Sequence, residues 1–393
     1  MQNDLQEKLS LDKCPRYFNG LFYIFLKRNR RESLIPYLIL VLCPTIIWML
    51  NDKVCFISGN RLVHKTKSLS LDVFMLIFLL LLAFRGLQCG NDTVQYLRLF
   101  EKYSSKNFVA LFANDTHEIG YKLLNKLIGS ITDNYQFLLI ITAFFCVCPI
   151  WYFYKRESEI PLLTIALFLS VAPFVMFFSG IRQSIAMSIG SFAWYAAKSK
   201  KVWLFILVIL LAMQFHSSAI VLLAIYPLYY ARVTKKWLWF VTPCMILIYF
   251  SRNLIFNFLF DFLWKEYEKT AETGAVNVLI LLIMFAVYSY IMVDEGSLDQ
   301  DTIALRNLLL LSVVIQIFAM LHPLSMRMNY YFLLFVPIMI PKIATKCKKE
   351  FAIIGKISIV VMIVYFLYYF VVTVVTDNDP LNTYPYIPFW KNG

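Results

Sequence analysis

Arg85, Asp92, Glu118, Arg182, His216 and Arg327 are the side chains of this sequence best suited to chemistry on a phosphorylated substrate. Arginine suits phosphate because its planar fork donates two hydrogen bonds at once and its charge does not titrate away. Three such forks call for an anion larger than a carboxylate, and a diphosphate fits. A carboxylate beside them can serve as base for an attacking hydroxyl if burial raises its pKa. Asp92 follows Arg85 past Gly90, a spacing suited to a loop that leaves a helix end and turns back. Its alternatives are a salt bridge to Arg85 or a turn. Glu118 opens HEIGYKLLNKLI, where Ile119, Leu123, Leu124, Leu127 and Ile128 recur at helical spacing. That pattern reads as an amphipathic helix lying on a surface, and Glu118 is alternatively a helix start favoured by the dipole. His216, in MQFHSSA, lies between two short apolar runs, where it meets a ligand or caps the turn. His117, Glu118, Asp115 and His322 show no ligand spacing on a helix, so neither a metal nor another cofactor is expected.

The elements that must position these residues belong to a membrane chain. Hydrophobic residues make up 60% of the 393 and charged residues 16%, and the mean hydropathy is +0.67. A soluble fold carries charge on about a quarter of its residues, whereas a bilayer-embedded chain needs stretches of about 20 apolar residues. Long runs without alternation predict an all-α polytopic integral membrane protein and not a barrel. Runs near 34–50, 69–84, 137–154, 160–178, 183–197, 202–213, 219–230, 237–250, 276–293, 306–321, 328–341 and 352–375 predict about twelve transmembrane helices. Several are short, so tilted or broken helices are expected, with kinks at Pro173, Pro243 and Pro337. The 202–230 stretch reads as a tight pair turning at Gln214 to Ser218. The expected organisation is a polar arm at 1–33, a transmembrane domain at 34–375 with a larger extracytoplasmic loop at 85–134 after the second span, and an extracytoplasmic tail at 376–393.

The net charge of +13 is explained by membrane orientation and not by nucleic acid. Lys65 and Lys67, Lys155 and Arg156, Lys198 to Lys201, Arg232 to Lys236, and Lys342 to Lys349 fall on alternate loops, which the positive-inside rule places in the cytoplasm. The acidic loop 294–301 lands on the same side, at little cost. KRNRR at 27–31 is the misfit, since parity puts it outside unless residues 17–26 dip into the membrane. The first 31 residues lack the layout of a removable signal peptide, and the eight scattered cysteines form no disulfide framework.

With that orientation the outer segments are 85–134, 179–182, 214–218, 251–275, 322–327 and the tail. They collect Arg85, Arg182 and Arg327 against the rule that arginine belongs inside. An arginine held at a span end outside needs an anion, and a polyprenyl diphosphate lipid is the carrier a bilayer offers. Each arginine alternatively snorkels to a headgroup. Aromatics make up 17% of the chain, most of them expected in the interfacial belt. The tail NTYPYIPFW, with Pro385 and Pro388, is expected to lie extended over the outer surface.

In order along most of the chain, the motifs are Arg85, Gly90, Asp92, Tyr96 and Phe100; Glu118, Gly120 and Tyr121; and Ile181, Arg182, Gln183 and Ala186. Phe215, His216 and Ala219, then Arg327, Tyr330, Tyr331 and Phe332, then Pro385 and Tyr386 complete the set. Together they resemble the EpsG-type polysaccharide polymerases, relatives of the Wzy polymerases; residues 1–33 are longer and more charged than that family's pattern. The resemblance implies a glycosyltransferase of the bacterial plasma membrane, working on its outer face. It would move a glycan from undecaprenyl diphosphate to the terminal sugar of a second lipid-linked repeat unit, extending exopolysaccharide, capsule or O-antigen. It implies a lipid-linked donor and acceptor, surrounding membrane lipids, a chain-length regulator and a flippase as partners, and no nucleic acid. Arg85, Arg182 and Arg327 would bind the diphosphate. Asp92 and Glu118 would be candidate bases, with His216 in support, and Tyr96, Gln183, Tyr330 and Tyr386 would contact sugar.

Other classes share parts of this pattern. A lipid-linked oligosaccharide flippase would bind the same diphosphate, yet would carry charge along the interior of its spans, whose centres here are almost free of it. A membrane O-acyltransferase would need a histidine near a cytoplasmic acyl donor, where only His64 is expected. A glycan ligase has the same leaving group, and these motifs do not separate it.

Overall fold

The computed structural model describes residues 28–51, 68–112, 117–263, 275–376 and 381–391. Most of the polar arm, with the 17–26 segment, lies outside the described residues, as do His64, Lys65, Lys67 and Asp115. Among the described residues the chain is helical, without strands; Arg85 with Pro388 and Val293 with Cys347 form isolated bridges. Helices follow from the apolar runs because hydrocarbon offers no partner to a backbone amide, and a helix satisfies its own.

The helices that build the bundle are α1 (Arg28–Asn51), α2 (Leu69–Ala83), α3 (Thr93–Ser104), α4 (Ile119–Gly129), α5 (Tyr135–Glu157), α6 (Pro161–Ser170), α7 (Ile181–Gly190) and α8 (Ala193–Lys198). They continue as α9 (Val202–Met213), α10 (Ile225–Tyr230), α11 (Lys235–Leu263), α12 (Ala275–Ile291), α13 (Gln300–Ala319), α14 (Pro323–Leu333), α15 (Val336–Thr345) and α16 (Ala352–Thr376). Each of the twelve apolar runs overlaps at least one of these helices. Five helices have the length and hydropathy of a membrane span: Leu34–Asn51, Tyr135–Glu157, Lys235–Phe258, Gln300–Ala319 and Lys349–Thr376. A sixth results if α14 and α15, bent by 46°, are one span. Five further apolar helices have 10–17 residues, so twelve full-length spans are not what the described residues contain.

Proline accounts for much of the shortening. Pro173 lies in the break after α6, and Pro337 stands in the first turn of α15, just past the bend. Lacking an N–H and clashing with the preceding turn, proline is tolerated where a helix restarts. Pro243 is instead carried inside α11. The predicted reversal after α9 is present: the helix ends at Met213, and a 3₁₀ segment, Ser217–Ala224, packs back on it.

Helix α6 marks the centre, with Pro161 to Leu169 all buried, as expected of a helix that is apolar on every side. It packs on α15 and α16, while α5 packs on α2 and α7. Phe168 of α6 meets Phe78 at 5.5 Å, Tyr154 at 5.6 Å and Phe74 at 5.9 Å, ring centre to ring centre and edge to face.

The loops gather at two ends. At one, the basic residues meet counter-charges: Lys155 with Asp72 at 2.8 Å, Lys342 with Glu157 at 2.6 Å, Lys346 with Asp299 at 2.7 Å, and Lys198 with Asp301. The acidic 294–301 loop supplies two of these partners, Asp299 to Lys346 and Asp301 to Lys198. Lys342 and Glu157 are buried together, each side chain 8% exposed. Removing one member strands the other in the interior, so Lys342→Ala is expected to cost about 3–5 kcal/mol. Thermal unfolding in detergent should show that loss, and the paired replacement Lys342→Met with Glu157→Leu should recover most of it.

Candidate active site

The opposite end of the bundle is organised around Glu118, which precedes α4 in extended conformation (φ −66°, ψ 143°) and so points away from its own helix. Its Oε2 accepts from Arg182 Nη1 at 2.5 Å, and its Oε1 accepts from the Ser217 backbone N–H at 2.9 Å. His216 Nδ1 lies 3.3 Å from the same Oε1. One carboxylate thus joins the start of α4, the start of α7 and the turn after α9. Gly120 permits the approach: a Cβ there would stand 2.7 Å from the Gln214 carbonyl oxygen, which accepts from the Tyr121 N–H at 3.2 Å. Burial works to raise the Glu118 pKa, but the His216 and Ser217 hydrogen bonds and the Arg182 charge outweigh it and hold it at about 2.

Around this hub stand further predicted residues. Tyr96, buried on α3, is close enough to Arg182 for each to act on the other's charge, and it meets Tyr121 edge to face at 5.7 Å. Burial raises its phenol pKa, Arg182 works against the rise and Asp92 adds to it. Gln183 donates to the Arg327 carbonyl at 2.6 Å, tying α7 to α14, while its own Oε1 is buried without a partner among the described residues. The Arg327 side chain is exposed and forms no ion pair among the described residues. Tyr330, one helical step on, is half-buried.

Arg85 occupies a different setting. It is 1% exposed, with Nη1 donating to the Leu82 carbonyl at 2.6 Å and Nε without a partner among the described residues. The tail roofs it, as Gly86 N–H donates to Ile387 at 2.7 Å and Phe389 N–H to Phe84 at 3.0 Å. Tyr386 is buried beneath the same tail, its hydroxyl donating to the Leu81 carbonyl at 3.1 Å. Gly90, at φ +93°, turns the loop so that its N–H and that of Asn91 reach the tail carbonyls of Asn382 and Leu381. Asp92 then caps α3 by position, its N–H 3.4 Å from Ser179 Oγ, and forms no salt bridge with Arg85.

His117 bonds the Tyr103 hydroxyl at 2.9 Å, and His322 caps α14 by accepting from Leu324 N–H at 3.0 Å. No group of three His, Cys, Asp or Glu side chains is placed to hold a metal among the described residues. Ser217 and Ser218 were not singled out from sequence, although they follow His216 directly. Ser217 serves Glu118 through its backbone, which no residue type reveals, and the Ser218 hydroxyl meets that of Tyr331 at 3.0 Å.

The family model of the EpsG family matches residues 70–388, which include every residue of this end from Arg85 to Tyr386. No curated protein and no solved structure matches the chain.

Two measurements check this geometry. The folded pKa of Glu118 lies below the ordinary 4.5, so its contribution to stability is complete above about pH 4.5 and is lost as pH falls toward about 2. Resistance of the wild type to unfolding should fall as pH drops across that window, and Glu118→Gln should flatten the dependence. Gly90→Ala would force a left-handed backbone on alanine, costing about 1–2 kcal/mol, and set its Cβ 2.4 Å from the Phe178 carbonyl oxygen. Lower thermal stability and faster proteolysis of the released tail are expected.

Proposed function

Since the chain belongs to the EpsG family, we propose that this polysaccharide polymerase-type membrane protein joins undecaprenyl-diphosphate-linked repeat units into exopolysaccharide, capsule or O-antigen. The observation that carries the reading is the meeting of Arg182, Glu118 and His216, drawn from three separate segments at the end opposite the basic loops. The positive-inside rule assigns Lys155, Lys198, Lys342 and Lys346 to the cytoplasm, so the arginine end faces the periplasm or cell exterior. That side is where a flipped lipid-linked glycan becomes available, with a flippase and a chain-length regulator as the corresponding partners.

The reaction needs little beyond positioning and charge. A hydroxyl of the acceptor sugar attacks the anomeric carbon of the donor, and the lipid diphosphate departs with the bonding electrons. Negative charge grows on the departing oxygen, and fixed cationic donors lower the barrier because they need no reorganisation as it grows. Arg182, linked through Gln183 to the backbone of Arg327, and the exposed Arg327 fork supply those donors. Arg85, buried next to the same loop, completes the positive field. A base within reach of the acceptor hydroxyl comes from Asp92, Glu118 or His216. Tyr96, Gln183, Tyr330 and Tyr386 are the sugar-side candidates; the buried hydroxyl of Tyr386 supports the tail and is the least available of them.

Purified protein reconstituted with a short lipid-linked repeat unit, without metal or nucleotide, should yield a ladder of longer lipid-linked glycans. Arg182→Ala should reduce its rate by about a hundredfold to a thousandfold, the usual effect of removing one charge-stabilising donor. Arg327→Lys should fall well below wild type, because a point charge does not replace a fork. Movement of labelled substrate across the vesicle membrane without any ladder would instead identify a flippase.

A further inference from the structure

Which of the three candidates takes the proton can be argued from where their lone pairs are spent. Both oxygens of Glu118 are occupied by donors, Oε2 by Arg182 at 2.5 Å and Oε1 by the Ser217 N–H at 2.9 Å. A carboxylate bound in this way beside a guanidinium is a weak base. Because Glu118 is ionised it accepts only, so the His216 nitrogen facing it, Nδ1 at 3.3 Å, must carry the proton. Neutral imidazole with Nδ1 protonated presents a lone pair at Nε2. Nε2 makes no hydrogen bond among the described residues, and the His216 side chain is 23% exposed. Asp92, the rival, has no bond that orients its carboxylate as a helix cap.

We propose that His216 Nε2 is the catalytic base and that Glu118 is its positioning residue, fixing the tautomer and stabilising the imidazolium formed in the transition state. This deepens the polymerase reading and rests on it. As the new bond forms between the acceptor oxygen and the donor's anomeric carbon, the bond from that carbon to the diphosphate oxygen breaks. The hydroxyl proton moves to Nε2, and the electron pair leaves with the lipid diphosphate. The imidazolium then returns its proton to the released diphosphate or to water. The charged and titratable groups facing this centre are Glu118 at the start of α4, Arg182 on α7, Tyr96 on α3 and Tyr331 on α14. Arg182 thus serves on two sides. It holds Glu118 in the orientation His216 needs, and it presents the rest of its guanidinium toward the leaving group.

The test follows ladder formation from a lipid-linked repeat unit over a range of substrate concentration for wild type, His216→Gln, Glu118→Gln, Glu118→Asp and Asp92→Asn. Binding of undecaprenyl diphosphate to each protein is measured separately. His216→Gln should slow turnover by about a thousandfold while lipid-diphosphate binding stays within about twofold of wild type. Glu118→Gln should slow turnover by about tenfold through kcat with KM within about twofold of wild type, and Glu118→Asp, which keeps a carboxylate, should recover part of that loss. A merely structural Glu118 would show no such split between kcat and KM and no recovery with Glu118→Asp, and would overturn its positioning role. His216→Gln that keeps more than about a tenth of wild-type turnover, with Asp92→Asn inactive, overturns the base assignment and gives it to Asp92. A wild type that binds lipid diphosphate but forms no ladder overturns the polymerase reading, and the base with it.

Discussion

The contact between Glu118 and Arg182 is the constraint on which the site end of this protein depends. It ties a surface helix, α4, to the mouth of a buried one, α7, and its second oxygen holds the turn that carries His216. An ion pair half shielded from water is worth having only when its remaining lone pairs are also bonded, and here a backbone N–H and an imidazole meet that need. The same bonding holds the carboxylate pKa at about 2 despite its burial. Gly120 belongs to this device, since any side chain there would push α4 off the Gln214 carbonyl.

Charge is sorted along the bundle axis in two different ways. At the end that carries the basic loops, Lys155, Lys198, Lys342 and Lys346 each have an acidic partner, and Lys342 with Glu157 is buried outright. At the other end Arg182 is paired with Glu118, whereas among the described residues Arg327 and the buried Arg85 form no ion pair, Arg85 donating to the Leu82 carbonyl. A buried guanidinium without a counter-charge is costly, and fixed positive charge of this kind is what a departing diphosphate requires.

The C-terminal tail links these themes. It crosses the 85–91 loop through four backbone hydrogen bonds, from Gly86, Gly90, Asn91 and Phe389, and excludes water from Arg85. Tyr37 of α1 donates to the Thr383 carbonyl at 2.6 Å, so the tail is anchored to the first helix as well. The ends of the chain's described portion therefore meet over the loop that starts the site.

Much was legible in the sequence, because hydrophobicity and helical periodicity are local properties. The apolar runs, the turn at Gln214 to Ser218, the amphipathic α4 and the left-handed Gly90 all follow from residue type and spacing, and so did the three outlying arginines. Full-length spans did not follow, since the breaks at Pro173 and Pro337 depend on how neighbours accommodate them. Nor did the partnerships: Asp92 was as close in sequence to Arg85 as any carboxylate, yet Arg85 is capped by a carbonyl, and Glu118 found Arg182 across 64 residues. Sequence alone determined which residues can bear charge and which segments must be helical, because those follow from composition and period. Only the tertiary structure decided which carboxylate is neutralised and which imidazole stands beside it, because that depends on distances between segments the chain brings together only on folding.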